Sequence, residues 1–157
     1  MAAELKPDTI VVISPHAVMY ADYFHASPGK EARGDFGRFM APQIGVEAGY
    51  DEAFVRELDR LCGDDDFPMG TEGEREKELD HGTLVPLYFI NQHYRDYKLV
   101  RIGGSGLSFA EHYRAGRYIA RAAENLGRSV FIVASGDLSH KLRGGRALWV
   151  QCPGAGI

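Results

Sequence analysis

Cysteine is scarce in this chain, and the two that occur, Cys62 and Cys152, stand far apart with no Cys-x-x-Cys pair. That excludes a disulfide framework and fits a reducing, cytoplasmic setting. No apolar run approaches the roughly 20 residues of a membrane span, and Met1 to Pro7 lacks the charged start and apolar centre of a signal peptide. Positive charge is not in excess: 18 Lys and Arg stand against 22 Asp and Glu, and the densest runs, Asp64 to Asp66 and Glu72 to Glu78, are acidic. Neither a nucleic acid nor a membrane is expected as partner. Also missing are an internal repeat, a Gly-x-Gly-x-x-Gly, a P-loop lysine and a Gly-x-Ser-x-Gly elbow. Gly103-Gly104-Ser105-Gly106 is therefore read as a tight turn, and Ser135 and Ser139 lack the setting of nucleophiles.

What is present fits one domain with a real core: 157 residues, 45% apolar and 25% charged. Val130 to Ala134 is a run of apolar, mostly β-branched or aromatic residues closed by Ser135-Gly136, which predicts a strand buried on both faces of a mostly parallel sheet. Thr9 to Ser14 has the same build and runs into Pro15-His16. Before it, Met1 to Asp8 reads as the last turn of a helix ended by Pro7. Ala17 to Pro42, rich in aromatics and turn residues, reads as a long irregular wall or lid.

Asp51 is a candidate N-cap for a helix whose inner face is Phe54, Val55, Leu58, Leu61 and Cys62, closed by Gly63. Asp64 to Glu78 is a polar connection, and Leu79 to Thr83 a polar loop feeding a short buried helix over Leu84 to Asn91, with Pro86 in its first turn. Lys98 to Ile102 predicts a strand. Ser108 and Glu111 predict a capping box, and Phe109, Tyr113, Ile119, Ala120 and Ala123 the inner face of a last helix ending at Gly127.

Three histidines, His16, His81 and His140, fall at element ends, which is where open α/β sheets keep ligand sites. Imidazole ligates metals and, with an ordinary pKa of about 6.5, exchanges protons near neutrality. A histidine after a buried strand is also often an ordinary hydrogen-bonded residue. His25 is placed at the border of the pocket, and His93 and His112 in solvent.

Ile13-Ser14-Pro15-His16, Asp80-His81-Gly82-Thr83 followed by Val85-Pro86-Leu87, and Ser135-Gly136-Asp137-Leu138-Ser139-His140 together resemble, in order and spacing, the class III (LigB-like) extradiol ring-cleavage dioxygenase superfamily. The likeness extends over residues 5 to 142 and is nearest to the Memo-like branch, the AmmeMemoRadiSam system proteins. It implies a doubly wound α/β fold, a mostly parallel sheet flanked by helices, and a non-haem Fe(II) held by two histidines and a carboxylate. His16 matches a metal histidine of that family, His81 the histidine that touches substrate, and His140 the acid/base histidine. The implied activity is O2-dependent opening of a catechol-type aromatic ring. The alternative is a non-catalytic binding or maturation role beside a radical-SAM protein partner.

The family's first metal histidine and its carboxylate have no counterpart here, so the expectation is an incomplete LigB-like domain over 1–142, inactive and without retained Fe(II) at this length. An exposed strand edge would then favour a homo-oligomer. Arg143 to Ile157 is a separate, atypical tail. Back-translating Arg146 to Ile157 and reading one base later permits a family-like Gly-Pro-Tyr-Gly-Tyr continuation, which predicts a frameshift and a tail without site residues.

Overall fold

The computed structural model describes residues 2–136. His140 and the 143–157 tail lie outside the described residues. Five strands form the main sheet: β1 (Thr9–Ser14), β3 (Glu31–Phe36), β4 (Ala41–Tyr50), β6 (Lys98–Gly103) and β7 (Val130–Ala134), in the order β3-β4-β6-β1-β7. The pairs β4–β6, β6–β1 and β1–β7 are parallel and β3–β4 is antiparallel. A second, two-stranded piece pairs β2 (Phe24–His25) with β5 (Met69–Gly70). The helices are α1 (Ala2–Leu5), α2 (Glu52–Asp64), α3 (His81–Asn91) and α4 (Phe109–Leu126).

The sheet is buried from two sides because β1 and β6 send alternate residues to opposite faces. Val11, Val100 and Ile102 meet α2 and α4 through Phe54, Leu58, Leu61, Ile119 and Ala122. Ile10, Val12 and Leu99 meet α3 through Leu84 and Leu87, together with Ala32 and Val46 of the hairpin. This is the α/β architecture with a mostly parallel sheet that the resemblance implied.

Several sequence expectations are corrected. Ala17 to Pro42 is not irregular throughout: it contains β2, β3, a 3-10 turn over Gly37–Phe39 and the start of β4. β2 pairs with β5 and β3 with β4, and the outer edge of β3 meets residues far along the chain. A Cβ on Gly34 would meet the Leu79 carbonyl oxygen at 2.8 Å, and Leu79 N–H donates to the Arg33 carbonyl (2.9 Å), so residues 78–79 lie along the outer edge of β3. Gly63 lies within α2, whose C-cap is Asp65, while Asp51 does cap its start by accepting from Phe54 N–H (3.1 Å).

Helix α3 starts at His81, not Leu84, because Asp80 rather than a later residue supplies the N-cap; Pro86 thus falls beyond the first turn. In α4 the cap at Ser108 forms, accepting from Glu111 N–H (3.3 Å), but the buried face is Ala115, Tyr118, Ile119 and Ala122. Phe109 and Tyr113 are 94% and 73% exposed. The aromatic residues at the start of the helix suggested the wrong phase. Finally, β7 is not buried on both faces: Ile132 is 50% exposed, and among the described residues β7 pairs with β1 alone.

Candidate functional site

The carboxyl end of β1 meets the amino end of α3. Ser14 is the last residue of β1 and is fully buried, while His16, two residues on, is exposed. His81 is the first residue of α3 and half-buried. Their rings lie 3.9 Å apart between centroids, tilted by 36°. Two of the three histidines singled out in the sequence are therefore brought together; the third, His140, lies outside the described residues.

Local chemistry explains the contact. Asp80 caps α3 by accepting from the Thr83 amide (3.1 Å) and hydroxyl (2.9 Å), an arrangement the positive end of the helix dipole favours. The same carboxylate accepts a 2.5 Å hydrogen bond from the Ser14 hydroxyl, and Ser14 Oγ in turn accepts from the His16 amide (3.2 Å). Gly82 lets the two backbones close on each other: a Cβ there would collide with Ser14 Oγ and come within 3.3 Å of His16 Cδ2. Each residue of the Asp-His-Gly-Thr stretch thus has a physical task, namely cap, ring, close approach and cap donor. Opposite, a Cβ on Gly103 would collide with the Val18 carbonyl, so the glycine turn after β6 admits the chain that continues beyond His16.

The His81 ring faces a cleft of about 310 Å3 that Phe39, Arg38, Arg75, Asp80 and Leu84 help to line. Phe39 sets its ring edge-on to His81 at 5.6 Å. A larger cleft of about 880 Å3 lies between the β3–β4 hairpin and the end of α3, lined by Glu47, Tyr88, Asn91, Arg95 and Tyr97 among others. It contains no histidine. The smaller cleft, mostly charged but with an imidazole and the Phe39 ring on its border, is the better candidate for chemistry.

Behind the cleft lies a polar group that the sequence pattern did not reveal. Arg101, in the middle of β6, is fully buried. Its guanidinium donates to Ser27 Oγ (2.8 Å) and to the Glu78 and Glu76 carbonyls (2.7 and 2.5 Å), and it stands 3.6 Å from a Glu74 carboxylate oxygen and 3.9 Å from Asp80. It fastens the 74–80 connection to the sheet. A signal was present: an arginine inside Leu99-Val100-Arg101-Ile102 must be paired if that strand is central.

His25 does not border the pocket; it is fully buried, and neither ring nitrogen has a hydrogen bond of ordinary geometry. Burial pushes its imidazole below the ordinary value. His93 and His112 are exposed, as expected.

Metal ligation needs more donors than this. Among the described residues no three His, Cys, Asp or Glu side chains form a metal-binding group. His16 and His81 offer two imidazoles, and the Asp80 carboxylate is engaged by Ser14, Thr83 and Arg101. A facial triad of two histidines and a carboxylate requires a third free donor, so these residues alone do not fit the Fe(II) that the resemblance implies.

With this geometry in place, the comparison with known proteins assigns the chain. It belongs to the LigB family: residues 1–150 match the family described as the catalytic LigB subunit of aromatic ring-opening dioxygenase. Protein CA_C1420 of Clostridium acetobutylicum is 38% identical over 144 residues, covering 87% of this chain and 31% of that protein. The 3,4-dihydroxyphenylacetate 2,3-dioxygenase of Escherichia coli is 26% identical over 144 residues, covering 88% of this chain and 51% of that enzyme. The chain thus spans about half the length of one curated relative and about a third of the other. No helix among the described residues is long and apolar enough to cross a membrane.

Proposed function

We propose that this chain forms part of a catalytic domain that opens a catechol-type aromatic ring with O2, and that substrate docks where His81, with the His16 ring beside it, borders the small cleft. The observation that carries the reading is the 3.9 Å ring contact at the end of β1, next to a cleft bordered by His81 and Phe39, in a chain of the LigB family. In this reading His81 touches the ring substrate by a hydrogen bond to a phenolic oxygen, while taking and returning the phenolic proton falls to His140. Phe39 packs against the substrate's ring. His16 is the metal histidine and His140 the acid/base of the complete protein, whose Fe(II) would need donors beyond the described residues.

Catechol is the direct probe. Titrated into the chain with 15N-labelled histidine, it should shift the His81 and His16 signals, and His81→Ala should weaken binding by about tenfold or more, the value of one charge-assisted or strong neutral hydrogen bond. Saturating catechol that leaves both signals unmoved would sink the proposal. Turnover belongs to the full-length protein. There, bound iron with ring opening supports the dioxygenase, whereas stable capture of a radical-SAM protein without turnover supports the Memo-like maturation role instead.

A further inference from the structure

We propose that Ser14 is a positioning residue for this site: its hydroxyl, anchored on Asp80, clasps the His16 turn to the first turn of α3 and sets the spacing of the two imidazoles. The inference deepens the reading above and rests on it for its functional consequence.

His16 is exposed and comes after Pro15 in a turn, so little packing fixes its ring. His81 is fixed by its place at the start of a capped helix. Among the described residues, the hydrogen-bonded route between the two segments is the Ser14 hydroxyl, which donates to Asp80 Oδ1 (2.5 Å) and accepts from the His16 amide (3.2 Å). A hydroxyl is suited to this because it donates and accepts at once.

The anchor itself is held in place. Asp80 has 5% of its side chain exposed; Thr83 engages both its oxygens, and the fully buried Arg101 stands 3.9 Å from Oδ2. Gly82 completes the clasp, since any Cβ would occupy the Ser14 Oγ position and press on His16 Cδ2. Removing the Ser14 hydroxyl leaves the helix cap intact, because both Thr83 bonds to Asp80 remain. Positioning and stability are therefore separable.

The test uses the whole 157-residue chain, labelled at histidine, and tracks the cross-peak between the His16 and His81 ring protons. The native protein should show it. Ser14→Ala should lose it while the melting temperature falls by only about 2–4 °C, the effect of one ordinary hydrogen bond in a domain of this size. Gly82→Ala should also lose it, and if that variant folds poorly, Ser14→Ala/Gly82→Ala removes the collision, should refold, and should still lack the cross-peak. A cross-peak persisting in Ser14→Ala, or reappearing in the double variant, overturns the clasp. Catechol affinity separates the two proposals. If Ser14→Ala loses the cross-peak and binds catechol at least about tenfold more weakly, both stand. If it loses the cross-peak with affinity unchanged, the clasp stands and the placement of substrate at these histidines falls.

Discussion

Strands β1 and β7 are written in nearly the same residues, Thr-Ile-Val-Val-Ile-Ser and Val-Phe-Ile-Val-Ala, and they pair with each other, yet their surroundings differ. Ile10, Val11 and Val12 of β1 are fully buried, whereas Ile132 of β7 is half-exposed. Composition made both strands; the number of neighbours decided their burial. β1 has β6 on one side and β7 on the other, with α3 covering one face and the α2–α4 pair the other. Among the described residues β7 has only β1. The functional consequence is that the central strand, gripped from every side, is the one whose end carries Ser14 and His16. A site that depends on sub-ångström placement belongs at the end of such a strand.

The strongest way to probe the inner strands is through their charge. Arg101 is buried beside Leu99 and Ile102 and holds Glu74, Asp80 and two backbone carbonyls together. Arg101→Leu should destabilise by about 3–5 kcal/mol, since it leaves buried acceptors and carboxylates without their donor. Urea unfolding measures this; a loss below about 1 kcal/mol would mean that the 74–80 connection holds itself in place.

The comparison is tested directly by one truncation in each strand. Ile10→Ala should cost about 2–5 kcal/mol, the range for emptying a fully buried aliphatic site. Ile132→Ala should cost less than about 1 kcal/mol, because half of its surface already meets solvent. Equal losses would show that β7 is covered as completely as β1 and that the two strands do not differ in the way their exposures indicate.

The same contrast explains what could be read in the sequence. The identities of β1, β6 and β7, the caps at Asp51 and Ser108, and two residues of the candidate site were legible because each depends on a few adjacent residues: an apolar run, a short polar side chain before a helix, a histidine at an element end. The β3–β4 hairpin was not, because the inward series of β3, Ala32, Gly34 and Phe36, is broken by a glycine that the approach of residues 78–79 requires, so its alternation does not stand out as an apolar pattern. The partners of the buried Arg101 and the Ser14–Asp80 bond were not legible either; they join positions 21 to 74 residues apart, and no local pattern records such a partner. His25 shows the same limit from the other side. Its loop setting suggests a pocket residue, yet the short β2–β5 pairing buries it.

His25 gives a smaller, pH-dependent effect. Burial holds its imidazole below the ordinary 6.5, with nearby Glu74 acting in the opposite sense and Arg101 in the same one. The unfolded chain therefore binds the proton more readily than the folded one, so this group makes stability rise with pH. Its contribution is full above the ordinary value and is lost as pH falls through it towards the lower folded value. Unfolding measured at about pH 7.5 and about pH 5.5, on either side of the ordinary histidine value, should show a decline that is smaller in His25→Phe. An identical decline in the variant would place the proton elsewhere.

The smallest effect should come from the exposed aromatic residues of α4. Phe109 opens the helix directly after the Ser108 cap, where a large apolar side chain at the start of an amphipathic pattern normally marks the inner face. Here the inner face is set further along, by Ala115, which is buried in the core, and by Tyr118, whose hydroxyl donates to Asp65 at the end of α2 (3.0 Å). Once those positions face inward, the 3.6-residue period carries Phe109 to the solvent side, where it is 94% exposed. Phe109→Ala should then change stability by no more than about 0.5 kcal/mol, while Ile119→Ala, 2% exposed on the same helix, should cost about 2–5 kcal/mol. Thermal melts of the two variants side by side decide the helix phase: comparable losses would mean that Phe109 is covered, and that the helix turns a different face to the sheet in solution.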